Sequence, residues 1–99
     1  GKMGNIEYFL NDNFIVLKML YEHQIDINGV MICPITQQEL AYMSGFSKAK
    51  INSILNNLIK KQYVKMYNNT KGRYILLDEA IKIIRKLSWL KKLFLRECS

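Results

Sequence analysis

The sequence predicts a mainly α-helical domain with one small β-hairpin, an α+β class, and three observations predict it. Apolar residues recur at helical spacing in several separate stretches. Two helix-start signals, Thr36 and Ser47, stand on either side of a single stop signal at Gly45. Finally, "NNTKG" separates two short runs of β-favouring residues. With 99 residues, 49% of them apolar, and only five Gly and one Pro, the chain suits one domain spanning residues 1–99 with a core of its own.

In "DNFIVLKMLYEH", Asp12 or Asn13 is the expected helix cap. Phe14, Leu17, Lys18 and Tyr21 follow at helical spacing, with Ile15 and Leu20 widening the buried stripe. The preceding "IEYFLN" suits an extra turn or a short helix. Asn28-Gly29 marks a turn, and "VMIC" reads as a short strand halted by Pro34.

"TQQELAYMSG" opens on a capping box: Thr36 accepts from the amide of Glu39, and the Glu39 carboxylate reaches back to the amide of Thr36. Leu40 and Met43 are expected to face inward, and Gly45 ends the helix. Phe46 is expected in the core. Ser47 caps the next helix so soon afterwards that the two must cross steeply, which is a helix-turn-helix. The second helix, from Lys48 to about Lys61, places Ile51, Ile54, Leu55 and Leu58 at i, i+3, i+4 and i+7. Its opposite face carries Ala49, Asn52, Ser53, Asn56, Asn57 and Lys60, with no acid and no large apolar group.

"YVKMY" and "RYILL" then form a hairpin around "NNTKG", whose Asn and Gly tolerate positive φ. Tyr63, Tyr67 and Tyr74 are expected to pack on the sheet and core. Asp78 is the expected cap of a long amphipathic helix over residues 79–97. Helix, short strand, helix, helix, hairpin, helix is the winged-helix order.

Charge adds a functional expectation. Between Leu40 and Leu77 stand Lys48, Lys50, Lys60, Lys61, Lys65, Lys71 and Arg73 without a single acid. The remaining eight basic residues match the eight acids, so the whole net charge of +7 resides in that segment. A field of one sign confined to one region attracts a polyanion. Lys48, Lys50, Lys60 and Lys61 flank the second helix, where phosphates line a groove. Asn52 and Asn56 lie one turn apart on its exposed face and suit adenine edges in a major groove. Ala49 suits a thymine methyl, and Ser53 a base edge or a phosphate. The helix starts at Thr36, Gln37 and Ser47 suit phosphate oxygens. Lys71 and Arg73 suit the adjacent minor groove, with Asn68 and Asn69 at the hairpin tip. Double-stranded DNA is preferred over RNA because no aromatic platform stands out.

The last helix is too apolar for a lone surface helix on a small domain. Ile83 or Ile84, Leu87, Leu90 and Phe94 recur at helical spacing, and Trp89 broadens the stripe. This implies a homodimer, with residues 6–10 as a further contributor, matched to a palindromic or repeated site. The alternative is a basic amphipathic helix on a membrane surface, with Lys86, Lys91, Lys92 and Arg96 flanking the apolar face.

Other classes fare poorly. His23, the one histidine, has no placed nucleophile or carboxylate pair beside it and suits the end of the first helix, so an enzyme is not expected. No phosphate-binding glycine loop occurs, and Cys33 and Cys98 lack metal-ligand spacing, so no cofactor and no metal are expected. Apolar runs such as "FIVL" and "YILL" are far below a membrane span, and no leader pattern opens the sequence. A cytoplasmic setting is expected.

"TQQELAYMSGFSKAKINSILNNLIKKQYV" and "YNNTKGRYILLDEAIKII" give the region Asn13–Ile84 a family likeness. It resembles the winged helix-turn-helix domains of MarR-like prokaryotic DNA-binding proteins. The match is a positioning helix, a turn, a recognition helix, and then Leu, Lys-Lys, an aromatic and Val leading into the wing. The short wing and "LLDEA" depart from the MarR pattern of an Asp and Arg pair followed by Leu-Thr and a later Gly. The paired-cysteine motif of ArsR-type metal sensors is absent. The compact layout is also similar to TubR-type adaptors, the centromere-binding proteins of plasmid and phage segregation systems. The resemblance implies a dimeric transcriptional regulator, a repressor, on an inverted repeat. Its alternative is a segregation adaptor that coats repeats and recruits a polymerising protein partner, and a winged helix used only for protein contacts is a third reading. With so little chain left for an effector pocket, no small-molecule effector is expected.

Overall fold

In the computed structural model, residues 12–98 are described, with side chains as far as Trp89. The order is α1 (Asp12–Glu22), β1 (Ile25–Ile27), β2 (Val30–Pro34), α2 (Gln37–Ser44), α3 (Lys48–Lys60), β3 (Val64–Met66), a 3₁₀ turn (Tyr67–Asn69), β4 (Arg73–Leu76) and α4 (Asp78–Cys98). The strands form one antiparallel sheet in the order β1-β2-β4-β3.

Helix α3 obeys its periodicity. Ile51, Ile54, Leu55 and Leu58 are all buried, and they meet Val16, Leu17 and Leu20 of α1 and Leu40 of α2. The sheet closes this core with Cys33, Val64, Tyr74 and Leu76, and α4 adds Ala80 and Ile84. Burying this apolar surface is the main driving force for the fold.

Several local expectations shift. Asp12 and Asn13 lie inside the first turn of α1 and are not its cap, because the helix already runs at Asp12. Val16 takes the inward place expected of Ile15, which is 43% exposed. Asp78 is likewise the first helical residue of α4. The Leu77 carbonyl accepts from the amides of Ala80 and Ile81, so Leu77 holds the cap position. In the eight-residue α2 only Leu40 is buried, while Met43 is 42% exposed. Phe46 and Tyr63 are half-buried against the core, Tyr74 is fully buried, and Tyr67 is half-buried in the 3₁₀ turn outside that packing.

A strand beyond those expected from the sequence precedes Asn28-Gly29. Ile27 pairs with Val30 across a two-residue turn in which both Asn28 (φ 53) and Gly29 (φ 85) have positive φ, as a type I′ hairpin requires. The Gly29 amide donates to Asp26 Oδ1 at 2.8 Å and fixes that turn. The expectation for residues 6–10 lies outside the described residues.

Candidate nucleic-acid interface

The helix-turn-helix is held by local bonds. The Glu39 amide donates to Thr36 Oγ1 at 3.1 Å, and the Thr36 amide donates to Glu39 Oε1 at 3.0 Å, completing the expected capping box. The Thr36 hydroxyl also donates to Glu39 Oε1 at 3.0 Å, and the bonds from the Thr36 amide and hydroxyl hold the Glu39 carboxyl below its usual range, with a smaller contribution from His23. Gly45 (φ 78) stops α2 with its amide donating to the Ala41 carbonyl at 2.9 Å. The Phe46 amide donates to Ser44 Oγ, and the Lys50 amide to Ser47 Oγ at 3.0 Å. Every residue of the turn is thus tied, which fixes the angle at which α3 leaves it.

The outer face of α3 presents Lys48, Ala49, Asn52, Ser53, Asn56 and Lys60, with Asn57 half-buried and Lys61 exposed just beyond the helix. Lys50, Gln37 and Asn52, all predicted contacts, have partners within the protein. The Lys50 ammonium pairs with the Asp12 carboxylate and lies 4.4 Å from the centroid of the Phe46 ring. Lys50 therefore faces α1, unlike Lys48 two residues before it. Gln37 Nε2 donates to Asn52 Oδ1 at 3.2 Å, linking the start of α2 to the face of α3.

The wing is fastened beside these helices through β2. Cys33 pairs with Tyr74 and Pro34 with Arg73, and two residues beyond Pro34 the chain begins its capping box. Gly72 (φ 87) comes so close that a Cβ there would stand 3.6 Å from Thr36 Cγ2. Thr36, Gln37, Gln38, Lys48, Lys71 and Gly72 consequently line one open hollow of about 330 Å³. The starts of α2 and α3 and the returning arm of the wing meet there. Asn68 (φ 50) and Asn69 (φ 54) stand at the hairpin tip and do not line it. Arg73 is exposed at the root of β4. Gln38 and Gly72 escaped the sequence reading as site residues. The position of Gln38 in the first turn after Thr36 was the available signal.

This is a winged-helix fold. Among solved structures the chain is similar to a transcriptional regulator of the CRP/FNR family from Thermus thermophilus, with a TM-score of 0.62 and 20% identity. The likeness covers 78% of this chain and 40% of that one, so the chain spans well under half of the regulator's length. No protein-family model matches the sequence, and no curated protein matches it. What the MarR-like expectation shares with this neighbour is the winged helix itself.

Elsewhere on the winged helix, the face assigned to dimerisation divides. Ile84 is 2% exposed and belongs to the chain's own core, so it cannot offer a free surface to a second copy. Ile83 and Leu87 are half-buried against that core, whereas Trp89 is 60% exposed. The side chains of Leu90 and Phe94 lie outside the described set. His23 Nδ1 donates to the Met19 carbonyl at 2.8 Å, closing the end of α1. Burial pushes the Cys33 thiol up to about 12. Among the described residues, no cluster of three or more His, Cys, Asp or Glu could hold a metal ion, and no helix is long and apolar enough to cross a membrane.

Proposed function

We propose that this winged helix is a sequence-specific double-stranded DNA-binding protein, working as a homodimeric transcriptional regulator, a repressor. One observation carries the reading: the starts of α2 and α3 and the wing converge on one surface lined by Lys48 and Lys71, beside an α3 face without an acid. In this reading α3 enters the major groove, with Asn56 and Ala49 on base edges and Lys48 and Lys60 on the flanking phosphates. The capping box leaves the amides of Gln37 and Gln38 at the start of α2 for a phosphate held between Lys48 and Lys71. Arg73 and the wing tip follow into the neighbouring minor groove. Trp89 and the exposed part of the α4 stripe join two copies, whose twofold axis matches an inverted repeat.

Footprinting and gel-shift titration against the DNA flanking its own gene, at two salt concentrations, test this. One protected palindrome with steep salt dependence is the expected result. Cooperative spreading over several direct repeats would replace the repressor by a segregation adaptor with a polymerising partner. Binding that ignores salt would overturn both.

A further inference from the structure

We propose that Gln37, on α2, is a positioning residue that sets which base Asn52 reads, and that it turns this position toward guanine. The inference rests on the DNA-binding reading above. Gln37 Nε2 donates to Asn52 Oδ1 at 3.2 Å across the two helices of the helix-turn-helix. An Asn side chain has one acceptor oxygen and one amide nitrogen with two donors. With Oδ1 held toward Gln37, Nδ2 is the end turned away, and among the described residues it has no protein partner. The exposed tip of Asn52 is thus all donor.

Bidentate pairing with adenine needs the Asn oxygen to face the adenine N6 amino group, and here that oxygen faces Gln37. Guanine instead offers two adjacent acceptors, N7 and O6, to a donor-only tip. Asn56, one turn further along α3, is exposed and has no such bond among the described residues, which keeps the adenine geometry available. The base preference at the Asn52 position is therefore fixed from the positioning helix, by a residue that itself need not touch a base.

The test is selection of binding sites from a random duplex pool by the full chain, followed by titrations on single-base variants of the selected site. Wild type, Gln37→Ala, Gln37→Glu, Asn52→Ala and the double Ala variant are compared. Gln37→Ala and Asn52→Ala should relax the same base pair, each by on the order of tenfold. The double variant should add nothing further, and melting temperatures should hold. A Glu at 37 has no hydrogen to donate, so it accepts from Asn52 Nδ2 and turns Oδ1 outward. The preference at that pair should then move from guanine to a base with an amino edge, adenine or cytosine. Scored as a ratio between sites, this readout is independent of the affinity lost to the added charge.

Relaxation of different base pairs by the two Ala variants would overturn the proposal. So would a guanine preference that survives Gln37→Glu. Should wild type select no site at all, the DNA-binding reading falls and takes this inference with it. A selected site indifferent to Gln37 sinks the inference alone.

Discussion

Lys50 and Asp12 form an ion pair that ties the start of α3 to the start of α1. Both side chains are 45% exposed, so the pair itself contributes at most about 1 kcal/mol to stability. Its effect on charge placement is larger. An ammonium already neutralised by a carboxylate is poorly placed to displace a cation from a phosphate, whereas Lys48 and Lys71 line the open hollow.

Salt titrations should separate these lysines. Lys48→Ala and Lys71→Ala are each expected to flatten the plot of log affinity against log salt by about 1.8 for the dimer, one phosphate contact per protomer. Lys50→Ala should leave that slope unchanged. An equal flattening by all three would show that the ion pair opens on the DNA.

Helix α3 ends without the usual glycine. The Tyr63 amide donates to the Leu58 carbonyl and the Gln62 amide to the Ile59 carbonyl, both at 3.0 Å, which is a Schellman motif with Gln62 at φ 64 in the left-handed position. Gln62→Gly should stabilise the fold by up to about 1 kcal/mol, the relieved left-handed strain outweighing the entropy that glycine loses. A urea midpoint that falls would contradict this.

The capping box makes part of the stability titrate. Glu39 has its carboxyl held below the ordinary value of 4.5 by the Thr36 bonds, so its contribution is complete above that value and fades as pH falls through the lower folded one. Glu39→Gln keeps a neutral acceptor opposite the Thr36 amide. Urea melts should therefore find wild type ahead of this variant at neutral pH, with the gap closing under acid. A gap constant with pH would place the origin elsewhere.

Cys33 is wholly buried, and its thiol at about 12 stands against an ordinary 9.0. At pH 8 it holds about a thousandfold less thiolate than a free cysteine, and only thiolate attacks. In a Cys98→Ser background, labelling by a disulfide reagent should wait for unfolding and accelerate with urea in step with it. Prompt labelling in buffer would mean that β2 opens locally.

Trp89 is the one tryptophan in the chain and is 60% exposed. If it joins two copies, its emission should shift to the blue as concentration rises. Trp89→Glu should give a folded monomer by sedimentation that has lost the tight binding to an inverted repeat. A dimer that tolerates this change would move the interface off this face.

Much of this was legible because it is local. The Ile51, Ile54, Leu55 and Leu58 stripe follows from the turn of a helix, and Thr36 with Glu39, Gly45 and Ser47 act within four residues of themselves. Where reading failed, the determinant was distant or too short to repeat. Three residues, Ile25–Ile27, cannot display a period, and only the Asn-Gly turn beside them hinted at a strand. Met43 looked inward because the spacing from Leu40 is helical, but α2 is two turns long and buries one residue. The Lys50–Asp12 and Gln37–Asn52 partnerships join separate helices, and no local pattern announces them.

Pro34, opposite Arg73, has no amide hydrogen, so the ladder between β2 and β4 ends at that pair. Toward Tyr74 the wing is bound on both sides, by β2 and by β3; beyond Arg73 it has no strand neighbour. An insertion of one residue in β4 would turn Tyr74 out of the core and Ile75 into it. The same insertion between Asn68 and Lys71 lengthens a loop at a cost of a few tenths of a kcal/mol. The hairpin end is thus an exchangeable cassette on a fixed socket, and tips of other lengths and charges can be carried there while Tyr74 keeps its place in the core.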